Sequence, residues 1–118
     1  MDNLLGTWSL ISLLDIVDGE ERPRPYQVKG RLFYHDDQVF VGLGYYKSSG
    51  YFTNFYSGTF KTLNNKVFHS VELSSHESRN GKVLERGFEI VDNNTLILTG
   101  LNPEGKKVKL IWSRDLVS

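Results

Sequence analysis

The chain has no cysteine in its 118 residues. That absence removes disulfides, iron–sulfur clusters, thiolate zinc sites and thiol nucleophiles together. Surplus charge is missing as well, because 14 Lys and Arg balance 14 Asp and Glu. No long-range field therefore draws the chain toward nucleic acid or an anionic membrane, and neither is expected as a partner. No apolar run approaches the roughly 20 residues that a membrane-spanning helix needs. The opening Met1-Asp2-Asn3-Leu4-Leu5-Gly6 lacks the basic and apolar segments of an export signal. With no cysteines either, the expected location is cytoplasmic. His35, His69 and His76 do not stand at metal-ligand spacing, so no metal and no cofactor are expected. No glycine-rich loop leads into a helix to cradle phosphate, and no nucleophile elbow appears.

What the chain does have is alternation. Aromatic residues make up 13% of it, and period-two patterns bounded by turn residues recur where helical periodicity does not. Strands are expected near 5–14, 26–34, 38–46, 53–62, 66–74, 83–91, 95–101 and 106–114. Asp18-Gly19, Asp36-Asp37, Asn64-Asn65, Asn80-Gly81, Asn93-Asn94 and Pro103-Glu104-Gly105 supply the turn chemistry between them. About eight strands in up-and-down order, mostly tightly linked, predict one all-β domain over 1–118, a closed antiparallel barrel. Gly6-Thr7-Trp8 opens the first strand and Trp112-Ser113-Arg114 closes the last. In a closed barrel these ends meet, so Gly6, Trp8, Trp112 and Arg114 are read as barrel closure, with Arg114 over an indole. Two connections are longer: Asp15 to Pro25, interrupted by Pro23 and Pro25, and Lys47 to Phe52. Both are candidates for a lid or an entrance, the second with a short helical turn around 49–54.

Turn-set register assigns the faces. A two-residue Asn64-Asn65 turn places Phe60 opposite His69, Gly58 opposite Val71 and Tyr56 opposite Leu73. A turn at Asn80-Gly81 places Leu73 opposite Phe88 and Ser75 opposite Arg86. The inward set is then Tyr56, Phe60, Val67, His69, Val71, Leu73, Leu84, Arg86, Phe88 and Ile90, continued by Leu96, Leu98, Val108, Leu110 and Trp112. Trp8 and Leu10 join it from the first strand. Two members are not apolar. An unpaired guanidinium inside a barrel is very unfavourable, so Arg86 needs carbonyls, a carboxylate, water or a ligand, or else snorkels to the mouth. His69 is either a core imidazole bonded to a tyrosine or backbone oxygen, or a proton-transfer group or donor to a ligand. Tyr34, Tyr45 and Tyr56 are further candidate hydroxyls.

Leu5-Gly6-Thr7-Trp8-Ser9-Leu10, Gly30-Arg31-Leu32-Phe33-Tyr34, Tyr56-Ser57-Gly58-Thr59-Phe60, Val67-Phe68-His69-Ser70-Val71-Glu72, Arg86-Gly87-Phe88 and Leu110-Ile111-Trp112-Ser113-Arg114 form an ordered set. In order and spacing, from about 4 to 114, it resembles the bacterial lipocalin-like domain family of small calycin-type barrels. The resemblance implies a cavity for a small, largely apolar molecule. Some similar barrels serve natural-product pathways as cyclases or carriers.

The leading expectation is thus a non-enzymatic barrel for a small hydrophobic or amphiphilic ligand. Tyr34, Tyr56, Phe60, His69, Leu73, Arg86, Phe88, Leu98 and Leu110 form its binding set. Arg86 suits a carboxylate or enolate on that ligand. A second reading is a cyclase or isomerase acting on a flexible apolar substrate, with His69 or Tyr56 for acid–base work. A third is a barrel filled by its own side chains that acts by association, for example as a homodimer through Tyr45, Tyr46, Tyr51 and Phe52.

Overall fold

The computed structural model describes residues 3–115; residues 1–2 and 116–118 of the expected 1–118 domain lie outside that range. Its strands are β1 (Gly6–Val17), β2 (Glu20–Pro23), β3 (Val28–His35), β4 (Gln38–Lys47), β5 (Gly50–Leu63), β6 (Lys66–Ser74), β7 (Val83–Val91), β8 (Thr95–Leu101) and β9 (Lys107–Arg114). A single 3-10 turn, Glu77–Arg79, interrupts the series. Successive strands from β3 to β9 pair antiparallel, β3 pairs with β1, and β9 returns to β1. Eight strands therefore close into an antiparallel up-and-down barrel. The ninth, β2, is an addition that pairs only with the far half of β1, from Leu14 to Val17.

Short polar turns make this connectivity possible. Asp36-Asp37 and Asn64-Asn65 each link strands through two residues, and Asp36 and Asn64 take positive φ values of 53° and 56°. Asp and Asn tolerate that left-handed conformation better than other non-glycine residues, which is why they punctuate the strands. The Asp18-Gly19 turn is a third case, and it creates β2. The stretch expected as an irregular connection is thus largely a hairpin. Pro23 is accommodated because it ends an edge strand. The 47–52 segment is likewise no lid and has no helical turn. Ser48-Ser49 links β4 to β5 directly, with Lys47 opposite Gly50.

Register follows the turns until a bulge intervenes. Phe60 lies opposite His69 and Gly58 opposite Val71, as the Asn64-Asn65 turn requires. The ladder then slips by one residue on β6, so that Ser57 faces Leu73 and Tyr56 faces Ser74. A bulge adds one residue and flips every side chain beyond it. Leu73, expected inside, is consequently outside and 60% exposed. The β6–β7 link is also longer than the Asn80-Gly81 turn alone, and it moves Arg86 to a position opposite Val67. The inward facing of Leu84, Arg86 and Phe88 survives that shift.

The core occupies one half of the barrel. Trp8, Leu32, Tyr34, Val67, His69 and Leu96 are fully or almost fully buried at the end where the chain termini meet. There the Trp8 indole donates to the Leu4 carbonyl at 3.0 Å. Arg114 lies over the Trp8 ring, 4.2 Å from its centroid, and donates to the carbonyls of Asn3, Leu5 and Asn93. The guanidinium satisfies backbone acceptors that no strand reaches, while its cationic face covers the indole.

Candidate functional site

The opposite half of the barrel is hollow. A cavity of about 950 Å³ opens between the β1–β2 turn, the 3-10 turn and the β8–β9 connection. Its apolar walls come from residues of four strands, including Leu13, Val41, Leu43, Leu98, Val108 and Leu110, with Trp112 also on the wall. Ligand pockets in proteins span roughly 300–1,000 Å³ and combine such walls with a few convergent polar groups.

Those polar groups are predominantly cationic. Arg24, Lys47, Arg79, Arg86, Lys106 and Lys107 line the cavity, against Asp15, Asp18 and Glu104. Arg24 is committed to Asp15 at 3.0 Å, and Lys106 reaches Glu104 at 3.9 Å. Arg79 and Arg86 meet no carboxylate among the described residues. Both instead donate to one acceptor, the Leu101 carbonyl, at 3.4 and 3.1 Å. Arg79 is 93% buried by its 7% exposure and lies 5.5 Å from the Tyr56 ring centroid. Burial and the neighbouring Arg86 charge both lower its pKa. Two like charges thus share a partly desolvated wall without a counter-charge, an arrangement that favours an incoming anion. Space for Arg86 is reserved by Gly100, where a Cβ would fall 2.5 Å from Nη1.

Tyr56 links this wall to the core. Its hydroxyl lies 2.6 Å from His69 Nδ1, and the Tyr34 hydroxyl lies 2.7 Å from His69 Nε2. Burial raises the pKa of both phenols, for Tyr56 against the opposing pull of Arg86 and Arg79. His69 is fully buried, and desolvation followed by the Arg86 charge pushes its pKa down to about 3. The imidazole is neutral throughout the physiological range.

The expected binding set is divided by this geometry. Tyr56, Arg86, Leu98 and Leu110 line the cavity. Tyr34, Phe60, His69 and Phe88 point inward but belong to the filled half, where Tyr34 and Phe60 pack edge to face at 4.7 Å. Leu73 is outside. Arg79 was not singled out in the sequence, because it sits in a turn where no alternation marks a face. Tyr45 also turns inward, stacking between Tyr26 and Phe52 at 5.1 and 5.7 Å, whereas Tyr46 and Tyr51 pair on the outer surface. The four aromatics suggested for association therefore do not form one patch. Among the described residues no group of three His, Asp or Glu is placed to hold a metal ion, and no helix is long and apolar enough to cross a membrane.

No family model matches the chain, and no curated protein matches it. Solved structures do. A redesigned β-barrel aligns with a TM-score of 0.60 at 14% identity, covering 96% of this chain and 92% of that one. A de novo fluorescence-activating β-barrel aligns at 0.58 and 14% identity, covering 95% and 94%. The siderocalin Ex-FABP, described as functioning through dual ligand specificities, aligns at 0.57 and 16% identity, covering 97% and 76%. At these identities the likeness is one of fold: this chain has the closed barrel architecture shared by calycin-type proteins and designed barrels.

Proposed function

We propose that this protein binds a small amphiphilic molecule with an anionic head, as a carrier or accessory protein of the bacterial lipocalin-like kind. One observation carries the reading: a cavity of about 950 Å³ whose apolar wall ends at two guanidiniums without carboxylate partners. The apolar part of the ligand lies against Leu13, Val41, Leu98 and Leu110. Its head meets Arg79 and Arg86, where a carboxylate gains charge-assisted hydrogen bonds that a neutral group does not. Unused polar capacity on the same wall supports the reading. Asn54 Oδ1 and Trp112 Nε1 are buried without partners, and both residues line the cavity. The siderocalin likeness supports the use of such a barrel for ligands, and a cytoplasmic location fits the cysteine-free sequence.

The enzymatic reading loses one of its two named residues, since His69 does not line the cavity and so cannot exchange a proton directly with a substrate there. The association reading is weakened by the hollow half. The test is titration with the anionic amphiphile 1-anilinonaphthalene-8-sulfonate, with native mass spectrometry for stoichiometry. One molecule per chain is expected, with Kd of order 10 µM, and about tenfold weakening in Arg79→Gln or Arg86→Gln. Binding that is absent, or indifferent to both substitutions, overturns the proposal.

A further inference from the structure

We infer that Tyr34 and His69, neither of which lines the cavity, fix Tyr56 as a hydrogen-bond donor and thereby restrict the ligand head to a carboxylate-class oxyanion. The inference rests on the proposed ligand-binding reading and specifies what that site accepts.

A neutral imidazole carries one N–H and one lone pair, so one of its two phenol neighbours donates to it and the other accepts from it. Tyr34 is 2% exposed and has no hydrogen-bond partner other than His69 Nε2 among the described residues. If Nε2 carried the proton, the Tyr34 hydroxyl hydrogen would be buried without an acceptor. A buried donor left without an acceptor has given up its bond to water and gained none. The Tyr34 hydroxyl therefore donates to Nε2, and the imidazole proton resides on Nδ1. Nδ1–H then donates to the Tyr56 oxygen, 2.6 Å away.

Arg86 lies on the same cavity wall as Tyr56 and donates to the Leu101 carbonyl. With its oxygen accepting from Nδ1–H, the phenol keeps its own hydrogen free to donate, and Tyr56 is the member of the relay that lines the cavity. Arg79 and Arg86 carry further N–H groups beside it, and a guanidinium has no acceptor to offer. The head site thus presents three donors from Tyr56, Arg79 and Arg86. A deprotonated acid can accept from all three. An alcohol leaves its own hydrogen facing donors, and an amine adds like charge. Tyr34 and His69 act here as positioning residues, since they reach the ligand only through Tyr56.

Two measurements decide the matter. Long-range proton–nitrogen NMR on the uniformly labelled wild-type protein near neutral pH is expected to show His69 Nδ1 protonated and Nε2 bearing the lone pair. The reverse tautomer overturns the inference, whatever the binding behaviour. Titration with decanoate and 1-decanol is expected to show the acid bound at least about tenfold more tightly by the wild type. Tyr56→Phe should reduce that ratio severalfold. The double variant Tyr34→Phe/His69→Phe, which removes the relay without touching the cavity wall, should lower the ratio too. A ratio unaltered in Tyr56→Phe overturns the inference while leaving ligand binding intact. Failure of both probes to bind the wild type overturns the binding reading and the ligand class together. The NMR result needs no variant, so a poorly folding substitution does not shield the inference.

Discussion

At Gly58 a Cβ would fall 1.8 Å from the Ser70 carbonyl oxygen and 3.1 Å from the Glu72 amide nitrogen. Neither atom belongs to a movable side chain, so any other residue forces the two strands apart. This close approach is what admits the bulge on β6, and the bulge in turn decides that Leu73 leaves the interior. Gly58→Ala is therefore expected to destabilise the protein by about 2–4 kcal/mol, read as a lowered urea midpoint. A midpoint within error of the wild type would show that β6 pairs regularly there. The same residue explains the limit of sequence reading at this site. The two-residue turn at Asn64-Asn65 made the pairings of Phe60 with His69 and Gly58 with Val71 legible, because turn length fixes register. Leu73 was not legible by parity, yet a glycine in mid-strand was the available signal of a bulge or close backbone approach. Arg79 gave no such signal: its burial comes from a strand distant in sequence, through the Tyr56 ring.

Between elements, the shortest ladder around the barrel is the one from β1 to β3. Their ladder covers only Gly6–Ser9 against Arg31–Tyr34, after which β1 turns to β2 instead. Beyond that point side chains replace the ladder. Arg24 clasps Asp15 on β1 with contacts of 3.0 to 3.3 Å, and also reaches the Tyr26 hydroxyl at 3.4 Å. Tyr26 stacks on Tyr45 of β4, and the Lys47 ammonium lies 5.6 Å from the ring centroids of Tyr26, Tyr45 and Phe52. Arg24, Tyr26, Tyr45 and Lys47 all line the cavity. A seam held by one ion pair opens more readily than a hydrogen-bonded ladder, which makes it the expected passage for ligand. Arg24→Ala should accelerate release of 1-anilinonaphthalene-8-sulfonate about fivefold in stopped-flow displacement. An unchanged release rate would place the passage elsewhere, at the mouth itself. The sequence placed an irregular connection over this region from its two prolines. What it could not show was that half of that connection pairs back as β2, since four charged or proline residues carry no strand pattern of their own.

For the whole molecule, the division into a filled and a hollow half predicts opposite responses to added volume. Val67 is fully buried in the filled half, so Val67→Leu should overpack it and cost about 1–3 kcal/mol. Leu110 faces the cavity, where Leu110→Phe has room. It should alter stability by less than about 1 kcal/mol while weakening ligand binding severalfold. Thermal unfolding and dye titration on the two variants check this directly. Equal destabilisation would mean that the barrel is packed along its full length. The barrel itself was readable from alternation, turn residues and the two tryptophan-bearing ends. Its partial filling was not, because inward-facing residues look alike in sequence whether they meet across the axis or stop short of it.

The short strand β2 has a consequence of a different kind. A closed barrel exposes no row of unpaired backbone groups, but β2 pairs only with β1, so its other side restores one to the surface. Such a rim is a template on which another chain can add a strand and begin to aggregate. Here it is four residues long and reads Glu20-Glu21-Arg22-Pro23, three charges and a residue without an amide hydrogen. Glu21 is further anchored to Lys109 at 2.7 Å. The residues that obscured β2 in the sequence are the ones that let it stand at an open margin without recruiting a neighbour.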